Sequence, residues 1–184
     1  MRSFIFSAII FLLLGTASSA QNLVQEGQGL GNISVGISTR DDVISHYGED
    51  FKLIEHGKYS HQVVYEKLGL SFYYCYADPK QEIFIIKVKK PYEAITGKGI
   101  VLGSLREDVI EAYGFPKDLE EAERVEHSNI VGGYVFAGIG FQFSATTTLL
   151  GDGTNVSEVW VNQMDIFEES GLRQCHARFP QNRK

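Results

Sequence analysis

Hydrophobic and polar residues follow one pattern twice along this chain. Residues 40–48 read Arg-Asp-Asp-Val-Ile-Ser-His-Tyr-Gly, and residues 106–114 read Arg-Glu-Asp-Val-Ile-Glu-Ala-Tyr-Gly. In each copy a valine, an isoleucine and a tyrosine stand at i, i+1 and i+4, which places them on one stripe of a helix. An apolar stretch ending in glycine precedes each copy, and aromatic segments of alternating polarity follow it. The pattern therefore predicts a duplicated unit.

Both phrases carry signals for the ends of short helices. Ser38 or Thr39 can cap the first helix and Ser104 the second, and acidic residues follow in each first turn, where the helix dipole favours them. Gly48 and Gly114 are placed to end the two helices. Helices this short do not hold together alone in water, so they need a sheet to pack on.

Segments rich in β-branched and aromatic residues predict the strands of that sheet. They cover residues 63–67, 68–76 and 82–89 in the first copy, and 133–136, 137–148 and 156–164 in the second. Alternation places Phe72 and Phe141 toward the helices, and glycine and polar residues on the opposite face.

The last strand of each copy is assigned by aligning Phe84 with Trp160 and Ile86 with Asn162. Because asparagine is seldom found in a core, the position shared by Ile86 and Asn162 is expected to face away from the core. The residues next to it in each strand are then expected to face inward. The residues expected inside are Ile83, Ile85, Val159 and Val161. The residues expected on the open sheet face are Phe84, Ile86, Val88 and Trp160.

These elements predict an α+β fold made of two tandem repeats, residues 31–90 and 97–167. Each repeat is a short helix, or a helix-turn-helix, followed by antiparallel strands. The sheet has one face covered by helices and one open face. Residues 21–31 are expected to be a flexible segment at the mature N-terminus, and residues 168–184 a polar C-terminal tail.

Residues 1–20 have the features of a signal peptide. Arg2 precedes an apolar segment over residues 4–14, and small residues precede Gln21. The apolar segment is shorter than the about 20 residues that span a bilayer, although an uncleaved anchor stays open as an alternative. We expect a secreted or periplasmic protein with no membrane span after cleavage. The formal net charge of −6 does not favour nucleic acid or anionic lipid as a partner.

The chain contains two cysteines, Cys75 and Cys175. An even number of cysteines in an exported chain permits a disulfide, which here would close a loop of about 100 residues. The alternative is two unpaired thiols.

The remaining candidate chemistry is sparse. The spacing of the five histidines does not fit a metal site, and we expect no metal and no cofactor. Neighbouring carboxylates at positions 41–42 and 107–108 are explained by the helix starts. The chain is therefore expected not to be an enzyme.

One surface remains as a candidate binding site. An aromatic patch on the open sheet face is expected to bind a protein partner. Its predicted members are Tyr73, Phe84, Ile86, Gln142 and Trp160. The alternative is that the tail, the charged segment 117–129 or a partner subunit covers these residues.

The repeated unit resembles the one shared by the outer-membrane assembly lipoprotein BamE and the β-lactamase inhibitor protein. The resemblance rests on Gly36, Thr39, Arg40, Val43 and Gly48, and on Gly103, Arg106, Val109 and Gly114. It implies export, no catalysis and a free sheet face that binds protein.

This chain departs from the family in its cysteines. The inhibitor carries a disulfide within each repeat and the lipoprotein carries a lipid-bearing cysteine, and this chain has neither. Inhibition of a β-lactamase is therefore not implied. We expect a protein-binding module, inhibitor-like or envelope-assembly-like. A small-molecule or glycan-binding protein is the second reading, and an enzyme of unrecognised type is the third.

Overall fold

The computed structural model describes residues 22–56, 60–115, 130–136, 138–148, 151–162 and Cys175. For strand residues 130–135, 144–148, 151–155 and 160–162 it describes the backbone alone. The expected signal peptide and the tail apart from Cys175 lie outside the described residues.

The described residues form eleven strands and two helices. In chain order they are β1 (Leu23–Gln25), β2 (Gly29–Leu30), β3 (Ile33–Ser34), α1 (Arg40–Tyr47), β4 (Lys52–His56), β5 (Ser60–Tyr65), β6 (Leu70–Cys75), β7 (Ile83–Lys89), β8 (Ile95–Thr96), α2 (Arg106–Tyr113), β9 (Ile130–Phe136), β10 (Ile139–Thr148) and β11 (Gly151–Asn162). A seven-stranded sheet has the order β4-β5-β6-β7-β11-β10-β9, and a four-stranded sheet has the order β3-β2-β1-β8.

The predicted α+β class is wrong, because the fold is mostly β. Residues 22–30, expected to belong to a flexible N-terminal segment, include strands β1 and β2. The joint between the two copies, residues 91–96, includes β8. These three strands and β3 form the four-stranded sheet, and each of its strands has only two or three residues. Such strands are too short to show alternation in the sequence, which is why the second sheet was not predicted.

The main core lies on one face of the seven-stranded sheet. Phe72, Ile86 and Phe141 are fully buried there, packed with Val43 of α1 and Val109 of α2. A second, smaller cluster on the opposite face consists of Cys75, Phe84 and Cys175, with Tyr73 and Ile85 packed against it. We call the first the core face and the second the open face.

A β-bulge in β7 overturns part of the predicted alternation. Tyr73 pairs with Ile85, but Tyr74 pairs with Ile83, so Phe84 is an extra residue in β7. The bulge turns two successive side chains to the same face, and every later residue changes sides.

The inward and outward assignments of β7 are corrected accordingly. Ile86 and Val88, expected on the open face, are fully buried in the core. Ile85, expected inside, is half-buried and packs on the open face beside Phe84. Ile86 therefore does not belong to the predicted binding patch.

Strand β11 contains a matching bulge. Gln142 pairs with Glu158 and Phe143 pairs with Val156, which makes Ser157 the extra residue. Phe72 and Phe141 occupy matching positions in the two copies. Ile86 pairs with Phe72 and Val159 pairs with Phe141, so Ile86 corresponds to Val159. The next residue of each strand then aligns Lys87, not Phe84, with Trp160.

An aromatic triad repeats on the core face. Ring centroids of Tyr47 lie 5.5 Å from Tyr65 and 5.3 Å from Phe72. In the second half, Tyr113 lies 5.2 Å from Phe136 and 5.1 Å from Phe141. Each tyrosine ends a helix and reaches two neighbouring strands, so the triads hold α1 and α2 to the sheet. The repeat boundaries at 31–90 and 97–167 stay a prediction.

The two helices differ at their N-caps. Thr39 Oγ1 accepts a hydrogen bond from the Asp42 amide, and Asp42 Oδ2 accepts one from the Thr39 amide. Gly48 and Gly114 end the helices with φ of 85° and 83°, a region that favours glycine. The second N-cap is Leu105 rather than Ser104, whose hydroxyl instead accepts from the Val101 amide.

This difference between the caps predicts opposite effects of two substitutions. Thr39→Ala should lower the free energy of unfolding by about 1 kcal/mol, since an alanine side chain has no acceptor for the Asp42 amide. Leu105→Thr should raise it by up to about 1 kcal/mol, because threonine adds the acceptor that leucine lacks. Urea unfolding of both variants checks this, and equal signs would contradict it.

Candidate functional site

The centre of the open face is the seam between β7 and β11. Lys87 lies between Ile86 and Val88, whose side chains enter the core, so the Lys87 side chain leaves the sheet on the open face. Its Nζ lies 3.2 Å from Glu158 Oε1 on the neighbouring strand. The Lys87 and Glu158 side chains are only 32% and 19% exposed. Because both side chains are partly buried, water and salt screen this ion pair less than they screen a pair on the exposed surface.

Tyr73 of β6 extends this pair into an aromatic surface. Lys87 Nζ lies 5.6 Å from the centroid of the Tyr73 ring, within the range of a cation–π contact. The imidazole of His56 on β4 stacks with the Tyr73 ring, and the two ring centroids lie 5.6 Å apart. His56 Nε2 is also 2.8 Å from Gln62 Oε1, which fixes the ring orientation. The open face thus presents a continuous row of side chains from β4 to β11.

Burial, together with the smaller effect of the negative charge of Glu158, raises the pKa of the Tyr73 phenol to about 12. Both effects disfavour the phenolate, the first by removing water and the second by repulsion. Tyr73 is therefore a neutral hydroxyl at neutral pH, able to donate and accept hydrogen bonds.

This raised pKa predicts a loss of stability at alkaline pH. The unfolded chain ionises near 10, and the folded chain holds the proton until about 12. The contribution of Tyr73 is therefore fully present below pH 10 and falls as the pH rises toward 12. The stability of the wild type relative to Tyr73→Phe should be constant below pH 10 and decline above it. A constant difference up to pH 12 would contradict the assignment.

The open face is partly covered at the end of β6. Cys75 and Cys175 are joined in a disulfide, and both are buried with Phe84, which is only 4% exposed. Phe84 is on the open face but has little surface left for a partner. The disulfide is compatible with an oxidising compartment outside the cytoplasm.

The other two predicted patch residues lie across the seam. Gln142 of β10 is half-buried, pairs with Glu158 in register, and its backbone carbonyl accepts a hydrogen bond from Ser157 Oγ at 3.1 Å. The backbone register pairs Trp160 with Lys87 on one side and Gly140 on the other. The Trp160 side chain lies outside the described part of the structure.

The structure therefore brings Tyr73 and Gln142 to one face with three residues that sequence reasoning missed: His56, Lys87 and Glu158. A signal for one of them exists, because Lys87 is a charged residue inside the strongly apolar strand β7. The pairing of Lys87 with Glu158 depends on β7 and β11 being neighbours, which the order of strands along the chain does not reveal.

The arrangement is suited to binding. Aromatic, charged and amide groups lie side by side on neighbouring strands, as they do on surfaces that bind other molecules. Over the described ranges, histidine, cysteine and carboxylate side chains form no group of three or more that could hold a metal ion. Neither of the two described helices is long and apolar enough to cross a membrane.

Comparison with known proteins gives no relative. No protein-family model, no curated protein and no solved structure matches this chain. The resemblance to BamE and the β-lactamase inhibitor protein stays a prediction from the repeated motif.

Proposed function

We propose that this protein is an exported, non-enzymatic binding protein that contacts a protein partner through the open face. The observation that carries the proposal is the group of Tyr73, Lys87 and Glu158. These side chains are half-buried on the sheet face opposite the one against which both described helices pack.

The composition of the group supports a protein partner. Tyrosine is enriched among the residues that dominate binding energy, because it combines a large rigid ring with a polar tip. The half-buried ion pair gives the face a defined pattern of charge, and such patterns fix the register and the choice of partner. The face runs over several neighbouring strands, from His56 on β4 to Glu158 on β11, and this breadth suits a protein surface.

The proposed location is the periplasm or the extracellular space. Two features support it: the apolar segment over residues 4–14 resembles a signal peptide, and Cys75 and Cys175 are joined across the chain. Disulfides persist in compartments of this kind and are rare in the cytosol.

Quantitative capture of a partner from an envelope or secretome extract tests the proposal. The tagged, exported protein is compared with Trp160→Ala, and with Phe115→Ala as a matched control whose 73% exposed ring lies just beyond α2. Trp160→Ala should weaken binding by about 2 kcal/mol or more, as truncation of an aromatic hot spot does. Phe115→Ala should leave binding unchanged.

An unfolding curve of Trp160→Ala separates binding from folding. A near-wild-type stability is expected for a residue that directly follows the core residue Val159 in β11, because successive side chains of a strand point to opposite faces. A loss of about 3–5 kcal/mol would instead indicate a core side chain and would contradict its role in the binding surface.

A further inference from the structure

A second candidate site lies away from the open face, at the joint between the two halves. A groove of about 590 Å³ is lined by residues 90–95, residues 101–102 and Asn22. This volume falls within the range of about 300–1,000 Å³ that is typical of small-molecule sites.

Exposed apolar side chains line part of the groove. Ile95 and Val101 face each other across an isolated β-bridge and are 42% and 40% exposed. Tyr92 and Leu102 also line the groove and pack against the main core, which anchors its two walls. These residues offer apolar contact area that the fold itself does not bury.

Two opposite charges stand at the rim. Lys90 and Glu93 line the groove and are exposed. A methyl group placed on Gly103 would lie 3.8 Å from Lys90 Nζ, which puts the ammonium near Gly103, the residue that follows the lining residue Leu102. Within the described part of the chain, neither Lys90 nor Glu93 makes a side-chain hydrogen bond or an ion pair, with each other or with any other residue.

We propose that this groove binds a small zwitterionic ligand with an apolar body, the class that includes apolar amino acids and short apolar peptides. The carboxylate of the ligand contacts Lys90, its ammonium contacts Glu93, and its apolar body lies on Ile95 and Val101. This activity goes beyond the proposed function, since the groove shares no residue with the open-face group.

The charges of the groove favour this class over simpler ligands. A ligand with only a carboxylate would be repelled by Glu93, and one with only an ammonium by Lys90. An uncharged apolar ligand would gain no attraction from either rim charge. A zwitterion satisfies both rim charges at once.

Isothermal titration of the purified protein with four probes tests the proposal. The probes are leucine, leucyl-leucine, N-acetyl-leucyl-leucine, which lacks the ammonium, and leucyl-leucine amide, which lacks the carboxylate. At least one of the two zwitterions should bind saturably, and each blocked dipeptide should bind about tenfold more weakly than leucyl-leucine. Binding by leucine alone identifies free amino acids as the source, and binding by the dipeptide alone identifies peptides.

Three variants assign the binding to this groove. Lys90→Gln should weaken zwitterion binding about tenfold and should not weaken the binding of leucyl-leucine amide, since it removes only a repulsion from that probe. Glu93→Gln should weaken zwitterion binding likewise and should not weaken the binding of N-acetyl-leucyl-leucine, from which it removes only a repulsion. Val101→Asp should weaken the binding of all four probes. Lys80→Gln, the same charge change at an exposed lysine before the opposite end of β7, serves as the control. No saturable binding of either zwitterion, or equal binding by wild type and Lys90→Gln, would overturn the proposal.

Discussion

Phe72→Ala is expected to lower the free energy of unfolding by about 3–5 kcal/mol. The Phe72 side chain is fully buried, opposite Ile86 in the sheet and in contact with the rings of Tyr47 and Tyr65. Its removal leaves a cavity between α1 and the sheet that the rigid strands cannot close. The loss therefore includes both the transfer of the ring and the cavity.

Phe141 provides the matched test in the second half. It is fully buried, pairs with Val159 and contacts Tyr113 and Phe136 in the same arrangement. Phe141→Ala should cost a similar amount, whereas Phe115→Ala should change stability by no more than about 0.5 kcal/mol. Chemical unfolding of the three variants measures this. Similar small losses for all three would show that the aromatic triads do not hold the helices to the sheet.

Removal of the disulfide is expected to have an effect of the same size. Cys75 and Cys175 are 100 residues apart in the sequence, so their bond constrains most of the unfolded chain. The chain-entropy model gives about 4–5 kcal/mol for a loop of this length. The double variant Cys75→Ala, Cys175→Ala also removes buried side chains that cover Phe84. Its melting temperature should be well below that of the oxidised wild type.

A reductant supplies the control for this prediction. Dithiothreitol should lower the melting temperature of the wild type and leave that of the double variant unchanged. Mass spectrometry of the exported protein should find Cys75 and Cys175 linked. Two thiols that alkylate freely under oxidising, native conditions would contradict the bond.

Much of the local structure could be predicted from the sequence, because local signals determine it. Thr39 and Gly48 bracket α1, which begins at Arg40 and ends at Tyr47 as the cap and the glycine indicate. Cys75 and Cys175 could be proposed as a pair from their number and the expected export. These features depend on a few neighbouring residues or on a count, and no knowledge of the sheet is needed.

The faces of β7 could not be predicted, because its alternation contains no visible interruption. Residues 83–86 read Ile-Phe-Ile-Ile, so a bulge at Phe84 replaces one apolar residue by another and leaves the composition unchanged. The register with β6 decides that Ile86 is buried, and register depends on tertiary packing. The same information is needed to place Lys87 next to Glu158, which is why the centre of the open face was missed.

Site-specific photocrosslinking in the producing cells tests the central claim most directly. A photoreactive benzoylphenylalanine is placed at Lys89, which is exposed and alternates with Lys87 along β7, and separately at Phe115, which is exposed beyond α2. We expect a discrete protein adduct from position 89, recovered from the envelope or the medium, and no such adduct from position 115. An adduct from position 115 with none from position 89 would show that the open face is not the binding surface.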